Sequence, residues 1–416
     1  MINYNKARKI LLLNVIGWFI IKIIVLYFLH HVNLFEVHDI AVNMVQTGEM
    51  KYFFNGQFNY NYQFPVYPFL LFILYKCFGI IPKLGLGLNF LLHSLAVLMS
   101  LPFFYQVALT IKIEGVHKNS AIIALLASLA ILLHPLINYY ALVNIHPFIC
   151  DLFFLMLTLF CITRYQKETT SKNLMLLAIA FGFTILDRPT LVICILPFFL
   201  SLDTSFSFIN RLLKTLIVLA IGFTILSPWL YRNYTIYHKF TVTSSTGQNL
   251  WLGIQRQTEG TTALPNGSNY YSLIQPEEWQ SISKLNSEEQ SDYFKDKYKQ
   301  TIDENPGLLV KMYLVKLQNF WLFRDNMGSE YNQQVKSLIP IYKWIYSFVL
   351  LLSFIFILLA KREARLIFSI PLSLSLLQAV FYIETRHRLI IEPILIFMAI
   401  STIYIIASIL SNKKNA

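Results

Sequence analysis

An acidic cluster follows the first apolar run of the sequence. Glu36, His38 and Asp39 lie within four residues of one another. A carboxylate at such a position can accept the proton of an alcohol as the alcohol attacks, which is the assistance that a weak hydroxyl nucleophile needs. Glu36 and Asp39 are therefore candidate catalytic bases, and a solvated acidic loop is the alternative that the spacing leaves open.

A second acid, Asp151, stands in an apolar run a few residues after His146. A carboxylate within a membrane-spanning segment costs a few kcal/mol, so it is a candidate functional group by default. Paired with Asp39, it can hold a sugar hydroxyl or a divalent cation, for which His146 is a further candidate ligand. A structural hydrogen bond to a neighbouring helix is the alternative.

Four arginines lie at the ends of apolar runs that we expect to meet at one face of the membrane. They are Arg188, Arg232, Arg386 and Arg388. A guanidinium group binds a phosphate through paired hydrogen bonds, and lipid headgroups place phosphates at this level. Extension of a single arginine to the interface is the rival explanation. Because the arginines come from separate positions in the sequence and are expected on one face, we favour the explanation that they bind one anion together.

Other chemistries lack support in the sequence. Gly85 and Gly87 begin a dinucleotide-binding pattern, but Phe90 stands where the third glycine belongs. The four cysteines lie in apolar runs and indicate neither a disulfide framework nor metal-ligand spacing. The net charge of +12 does not indicate nucleic acid, because many basic residues cluster beside apolar runs.

Composition predicts an all-α polytopic membrane protein. Charged residues make up 13% of the 416 residues and hydrophobic residues 56%, against about a quarter charged in a soluble protein. A membrane-spanning helix needs about 20 apolar residues. We predict ten such helices, over residues 10–29, 84–108, 119–135, 146–163, 173–187, 189–204, 214–231, 339–360, 366–382 and 389–410.

Basic residues between these runs predict the topology. With the N-terminal cluster, they assign both termini to the cytoplasm of a plasma (inner) membrane protein. An eleventh apolar stretch, Pro65 to Ile81, would invert every later loop if it crossed, so we predict that it lies along the outer face or dips into it. The residues that assign the cytoplasmic side are Lys112, Lys118, Arg164, Lys167, Lys172, Arg211, Lys214, Lys361, Arg362, Arg365, Lys413 and Lys414.

The predicted organisation has three parts. Residues 1–230 form an N-terminal membrane domain with a first outer loop at 30–83, residues 231–338 a small extracytoplasmic soluble domain, and residues 339–416 the last membrane helices. Within the soluble domain, Ser287 and Gln290 predict a capping box at the start of a helix.

Short motifs along nearly the whole chain resemble those of the GT-C superfamily of membrane glycosyltransferases, in particular bacterial relatives of protein O-mannosyltransferases and of the lipid A aminoarabinose transferase (families 39 and 83). The motifs are Ala41-x-Asn43-Met44-x-x-x-Gly48, Pro65-x-Tyr67-Pro68, Ser227-Pro228-Trp229-x-x-Arg232-Asn233-Tyr234, Gly247-x-Asn249-Leu250-Trp251-x-Gly253, Ile302-x-x-Asn305-Pro306, Lys316-x-x-Asn319-Phe320-Trp321 and Arg386-x-Arg388-Leu389-x-x-Glu392-Pro393.

The resemblance implies an inverting enzyme that takes a sugar from a polyprenyl-phosphate donor outside the cytoplasm, with an aspartate of the first outer loop as base. Relatives usually carry that acid where this sequence has Asn33, so Asp39 or Glu36 must take the role, and Asp39 is our choice. Asp151 matches a second acid of these relatives, and Arg232 matches their arginine after Pro-Trp.

The acceptor stays open between a lipid, a glycan and a protein. The implied partners are membrane lipid, the lipid-linked sugar and this acceptor, and the sequence requires no cofactor, although a divalent metal ion is compatible with it. Two rival functions are a polysaccharide polymerase or ligase and a non-enzymatic flippase of lipid-linked sugars. A flippase should have internal repeats or charged mid-membrane helices, and neither pattern appears in the sequence.

Overall fold

The computed structural model describes residues 2–54, 56–111, 113–201, 207–322, 339–360 and 366–414. Several positions used in the sequence predictions lie outside these described residues. They are the basic residues Lys112, Lys361, Arg362 and Arg365, the end of the predicted sixth span at 202–204, and the last part of the predicted soluble domain at 323–338.

The first half of the described chain is mostly helical, with four short strands. Its elements are α1 (Tyr4–Phe28), β1 (Asn33–Leu34), α2 (Glu36–Thr47), β2 (Tyr52–Phe54), β3 (Gln57–Asn59), α3 (Val66–Phe78), α4 (Pro82–Thr110), α5 (Glu114–Lys118), α6 (Ser120–Leu133), α7 (Pro135–Val143), β4 (Asn144–Ile145), α8 (Phe148–Lys167), α9 (Ser171–Asp187), a 3₁₀ helix (Pro189–Cys194) and α10 (Ile195–Ser201).

The second half contains long apolar helices together with shorter or more polar ones. These are α11 (Phe208–Tyr237), α12 (Thr246–Leu252), a 3₁₀ helix (Tyr270–Leu273), α13 (Pro276–Ile282), α14 (Ser287–Glu304), α15 (Pro306–Trp321), α16 (Ile339–Leu359), a 3₁₀ helix (Leu366–Phe368), α17 (Ser369–Gln378), α18 (Thr385–Leu389) and α19 (Glu392–Lys414).

Six helices in the described parts of the chain are long and apolar enough to cross a membrane, namely α1, α4, α8, α11, α16 and α19. The pair α6 and α7, bent by 44° at His134, can act as a seventh crossing. The protein is therefore polytopic and all-α, as the composition predicts. The count of ten is not confirmed: α9, with 17 residues, is about 25 Å long, against a hydrocarbon layer of about 30 Å.

Helix α3 occupies the eleventh apolar stretch and has 13 residues. At 1.5 Å per residue it is about 20 Å long, which is too short to cross a bilayer perpendicular to its plane. Its side chains divide between a buried side with Tyr67 and Leu71 and an exposed side with Phe69 and Ile73. A short helix with one apolar exposed side fits the prediction of a helix lying along the membrane surface.

Helix α1 exposes most of its apolar side chains but buries Lys22, which is 1% exposed. The Lys22 ammonium lies 2.6 Å from His93 Nδ1 on α4 and above the ring of Phe90. The sequence did not decide where this lysine points. The structure directs it into the helix bundle, where the imidazole supplies the acceptor that a buried ammonium needs.

A two-residue parallel pairing of β1 with β4 connects the segment after α1 to the segment before α8. Asn33 is paired with Asn144, and their side-chain amides are hydrogen-bonded at 2.8 Å. Asn144 O also accepts from Asn89 Nδ2 of α4. Because the strands run in parallel, the residues that follow them, Glu36 and His146, emerge from the same edge.

The segment between α11 and α16 has a hydrophobic cluster of its own. The buried members of this cluster are Trp251, Leu252, Tyr270, Ile274, Ile282 and Phe294. Helix α11 extends to Tyr237, beyond the boundary predicted at residue 230. The existence of residues 231–338 as a separate domain stays a prediction.

The predicted capping box of α14 is displaced by one residue. Asn286, rather than Ser287, is the N-cap: its side chain accepts from the backbone amides of Glu288 and Glu289, and the Glu289 carboxylate accepts from the backbone amide of Asn286. Ser287 instead donates its hydroxyl to the Tyr237 oxygen. Asparagine caps as well as serine, so the sequence alone could not separate the two registers.

We expect Asn286→Ala to lower the free energy of unfolding by about 1 kcal/mol, because two backbone amides lose their acceptor. The matched control is Lys299→Ala on the exposed side of the same helix, which should have little effect. Thermal unfolding of the full chain in detergent measures both. Equal stability of the Asn286→Ala variant and the unmodified protein would contradict the assigned cap.

Candidate functional site

A cavity of about 600 Å³ opens where segments distant in sequence meet. This volume lies in the range of small-molecule sites. The wall comprises the start of α2, the start of α8, the end of α9, the region from Val242 to Tyr271, and the segment between α17 and α19. Of the residues selected from the sequence, Glu36, His146, Asp151, Arg188 and Arg386 line it.

Asp151 and Arg188 form an ion pair in this wall. Arg188 Nη1 lies 2.6 Å from Asp151 Oδ2, and Arg188 Nε donates to the Thr190 hydroxyl. Asp187, the last residue of α9, lies beside Asp151. The end of α9 and the start of α8 are thereby tied together, and the Arg188 guanidinium is held at the cavity.

A second pair, Glu384 and Arg386, comes from the segment before α19. Arg386 Nη1 lies 3.0 Å from Glu384 Oε2, and Arg386 Nη2 donates to the Tyr382 hydroxyl. Thr262 also donates a hydrogen bond to Glu384. Burial outweighs these contacts and raises the pKa of Glu384 to about 8. Glu384 is thus mostly protonated at neutral pH, and Arg386 then keeps its positive charge uncompensated by that carboxyl group.

Glu36 contributes an acid from the start of α2. Gln63 donates to Glu36 Oε1 at 2.5 Å. Burial raises the pKa of Glu36, while its own backbone amide and the Arg386 cation act in the opposite direction. A carboxylate with a raised pKa is a stronger proton acceptor once ionised, which suits general base chemistry.

Asp39, the predicted base, is exposed on α2 and is not among the residues that line the cavity. The predicted metal ligands are not brought together either, because Asp151 pairs with Arg188 and His146 Nδ1 accepts from the Phe148 amide at 3.1 Å. In the ranges that the structure describes, no group of three or more His, Cys, Asp or Glu side chains could hold a metal ion. We therefore derive no step through a metal.

Arg232 has a different environment from the one predicted. Its Nη1 donates to Tyr60 O at 2.9 Å and its Nη2 to Met50 O at 3.0 Å, and the guanidinium stacks over the ring of Trp229. It does not line the cavity. Its contacts fix the segment between α2 and α3 to the end of α11, which favours a positioning role, and phosphate binding by Arg232 stays a prediction.

Arg388 is also separate from the cavity, although it lies two residues from Arg386. It is 1% exposed, with Nε 3.0 Å from Glu392 Oε1 and the guanidinium carbon 3.8 Å from the centre of the Tyr346 ring. Glu392 also contacts His134 Nε2 at 3.0 Å. This buried network joins α19 to α16 and to the bend between α6 and α7, and Arg388 is not among the residues that line the cavity.

Sequence reasoning missed Glu384 and the aromatic part of the wall. Glu384 stands two residues before Arg386, so the polar run from Glu384 to Arg388 was an available signal. Tyr62, Tyr270 and Tyr271 also line the cavity. No spacing rule unites these tyrosines, because they belong to segments about 200 residues apart, as their numbers in the sequence show.

No protein-family model and no curated protein matches the sequence. Among solved structures, the chain is similar to a crystal structure of ArnT from Cupriavidus metallidurans bound to undecaprenyl phosphate, with 13% identity and a TM-score of 0.41. The chain is also similar to a crystal structure of the same protein in the apo state, with 14% identity and a TM-score of 0.39. Each comparison covers 94% of this chain and 77% of the ArnT chain.

At this identity and TM-score, the likeness carries no argument about this chain. The function proposed below therefore rests on the cavity.

We expect Arg232→Ala to destabilise the protein by about 1–3 kcal/mol, since two backbone carbonyls lose their donor. Its affinity for undecaprenyl phosphate should stay that of the unmodified protein. Thermal unfolding in detergent and native mass spectrometry with added lipid measure the two quantities. A large loss of lipid affinity at unchanged stability would return Arg232 to the phosphate-binding role predicted from sequence.

Proposed function

We propose that the protein is an inverting glycosyltransferase that moves a sugar from a polyprenyl-phosphate donor to an acceptor outside the cytoplasm. One observation carries the proposal: in a polytopic membrane protein, a single cavity is lined by two arginines, Arg188 and Arg386, and by the carboxyl group of Glu36. Guanidinium groups suit a phosphate, and a buried carboxylate suits a hydroxyl nucleophile.

The arginines act on the leaving group. Arg188 and Arg386 are near enough that the Arg188 cation lowers the pKa of Arg386, although burial is the larger cause. An anion between the two guanidinium groups offsets that repulsion. As the bond between the sugar and the phosphate breaks, negative charge grows on the departing phosphate, and positive groups fixed there stabilise it.

Glu36 acts on the nucleophile. The acceptor hydroxyl oxygen attacks the anomeric carbon from the side opposite the phosphate, and its proton passes to the Glu36 carboxylate. A new carbon–oxygen bond forms, the bond to the phosphate oxygen breaks with its electron pair on that oxygen, and polyprenyl phosphate leaves as an anion. Asp151 positions Arg188 through their ion pair in this scheme.

The finer predictions from sequence belong to the same proposal. They are ten membrane crossings, a soluble domain at 231–338 outside the cytoplasm, both termini inside, and a plasma membrane location. Helix α3 is suited to guide the prenyl chain, because Tyr67 lines the cavity while Phe69 and Ile73 are exposed. Such a helix at the headgroup level would connect the lipid phase to the phosphate.

Binding of undecaprenyl phosphate tests the proposal directly. We expect the lipid to raise the unfolding temperature of the purified protein, whereas undecaprenol, which lacks the phosphate, should not. Arg386→Ala should weaken binding by on the order of tenfold or more, because a hydrogen bond to a charged group is lost. The matched control is Arg232→Lys, away from the cavity. Equal stabilisation by the alcohol and the phosphate would rule out a phosphate site.

Two amide variants test whether Glu36 or Asp39 is the catalytic base. Glu36→Gln should lower the rate of transfer from a polyprenyl-phosphate sugar by about 10²-fold or more, because an amide cannot act as the base. Lipid binding should be kept, because the side chain keeps its size. Asp39→Asn should retain near-normal transfer. Release of polyprenyl phosphate in membranes measures both. The reverse pattern would restore Asp39 as the base.

The raised pKa of Glu384 predicts that the affinity for undecaprenyl phosphate depends on pH. Below its pKa of about 8 the carboxyl group is neutral, and Arg386 is available to the phosphate. As the pH rises through that value, the carboxylate forms and competes for Arg386. Affinity for undecaprenyl phosphate should therefore fall between about pH 7 and pH 9, a range in which the phosphate, with a second pKa of about 6, is already ionised. Glu384→Gln should abolish the fall, and an equal fall in both proteins would contradict this role.

A further inference from the structure

The cavity has a second wall whose chemistry differs from that of the charged one. It presents the aromatic side chains of Tyr62, Tyr270 and Tyr271 and the amide side chains of Gln248, Asn249 and Asn269, none of which carries a formal charge at neutral pH. Nothing in the transfer scheme above uses these groups. Because the charged wall suits the donor phosphate, the uncharged wall is available to the acceptor.

The aromatic rings of this wall hold one another in place. The Tyr270 and Tyr271 ring centres are 4.4 Å apart, and Tyr271 also packs against Trp279 at 5.4 Å. From the other side, Phe54 of the β2–β3 hairpin contacts both Tyr62 and Tyr271. Gln248 Nε2 donates to the Tyr270 hydroxyl at 2.7 Å. The wall is therefore an ordered platform assembled from two separate segments.

The platform lies beside the candidate base. Burial raises the pKa of Tyr271 and of Tyr62, and the negative charge of Glu36 raises both further. That influence requires the phenol groups to be close to the Glu36 carboxyl group in a shared low-dielectric space. A molecule resting on the tyrosines would therefore present its edge to Glu36.

We infer that the acceptor is a saccharide, whose ring packs on the platform of Tyr62 and Tyr271 and directs one hydroxyl to Glu36. A pyranose ring has apolar C–H faces that pack on aromatic rings and a rim of hydroxyls that pair with amide groups. An acyl-chain acceptor would need a wall without polar groups, and an anionic one would need cations on this side. The inference rests on the proposed function and narrows its acceptor to glycans.

Direct binding to the full chain in detergent provides the first test. Short neutral oligosaccharides should show saturation transfer from the protein in NMR, with C–H protons most affected, and Tyr271→Ala should remove the signal. Tyr271→Phe should keep it, since the ring remains. Phe53→Ala is the matched control, because Phe53 is on the same hairpin as Phe54 but is 58% exposed and not part of the cavity.

Kinetics provide the second test. With the accepted oligosaccharide, Tyr271→Ala should raise the acceptor KM by about tenfold, the equivalent of one aromatic contact, and leave the donor KM unchanged. Transfer to serine- or threonine-containing peptides with no transfer to saccharides would overturn the inference. If undecaprenyl phosphate binds but no saccharide binds, the inference about the acceptor is wrong while the proposed function stands. If undecaprenyl phosphate does not bind either, the proposed function fails.

Discussion

Contacts with carboxyl groups hold three mostly buried arginine side chains of this protein in place. Arg188 pairs with Asp151 at 2.6 Å, Arg386 with Glu384 at 3.0 Å, and Arg388 with Glu392 at 3.0 Å. Removing Glu392 would leave the buried charge of Arg388 uncompensated, at a cost of about 3–5 kcal/mol. The pair of Asp151 and Arg188 joins the start of α8 to the end of α9 at the cavity wall, whereas the other two pairs lie within the segment before α19 and the start of that helix.

Pairing also sets the condition under which an arginine can bind a substrate. A carboxylate beside an arginine competes with a phosphate for the guanidinium group. Burial raises the pKa of Glu384 to about 8, so at neutral pH this partner is mostly neutral while remaining hydrogen-bonded. Burial raises the pKa of Glu36 as well, but the Arg386 cation and the Glu36 backbone amide act against that rise.

Asn33 illustrates how the structure changes the meaning of a sequence resemblance. Relatives usually have their acid where this chain has Asn33. Here that side chain pairs with Asn144 and joins the segment after α1 to the segment before α8. The position serves to align the two segments, and the first acid after it in the sequence, Glu36 on the following helix, lines the cavity. The same alignment places Glu36 on the cavity wall with Asp151.

The sequence by itself determined the membrane class, most long helices and the chemical types at the cavity, because hydropathy and charge are local properties. Of the site residues that the sequence indicated, Glu36, Asp151, Arg188 and Arg386 line one cavity, and their roles stay predictions. Only the tertiary structure decided between close neighbours, since Glu36 and Asp39 are three residues apart on one helix and lie on similar sides of it. Arg232 and Arg388 were selected by the same pattern as Arg386, yet their guanidinium groups contact backbone carbonyls and Glu392. Which partner a charged side chain meets depends on contacts between segments far apart in the chain, and no local pattern contains that information.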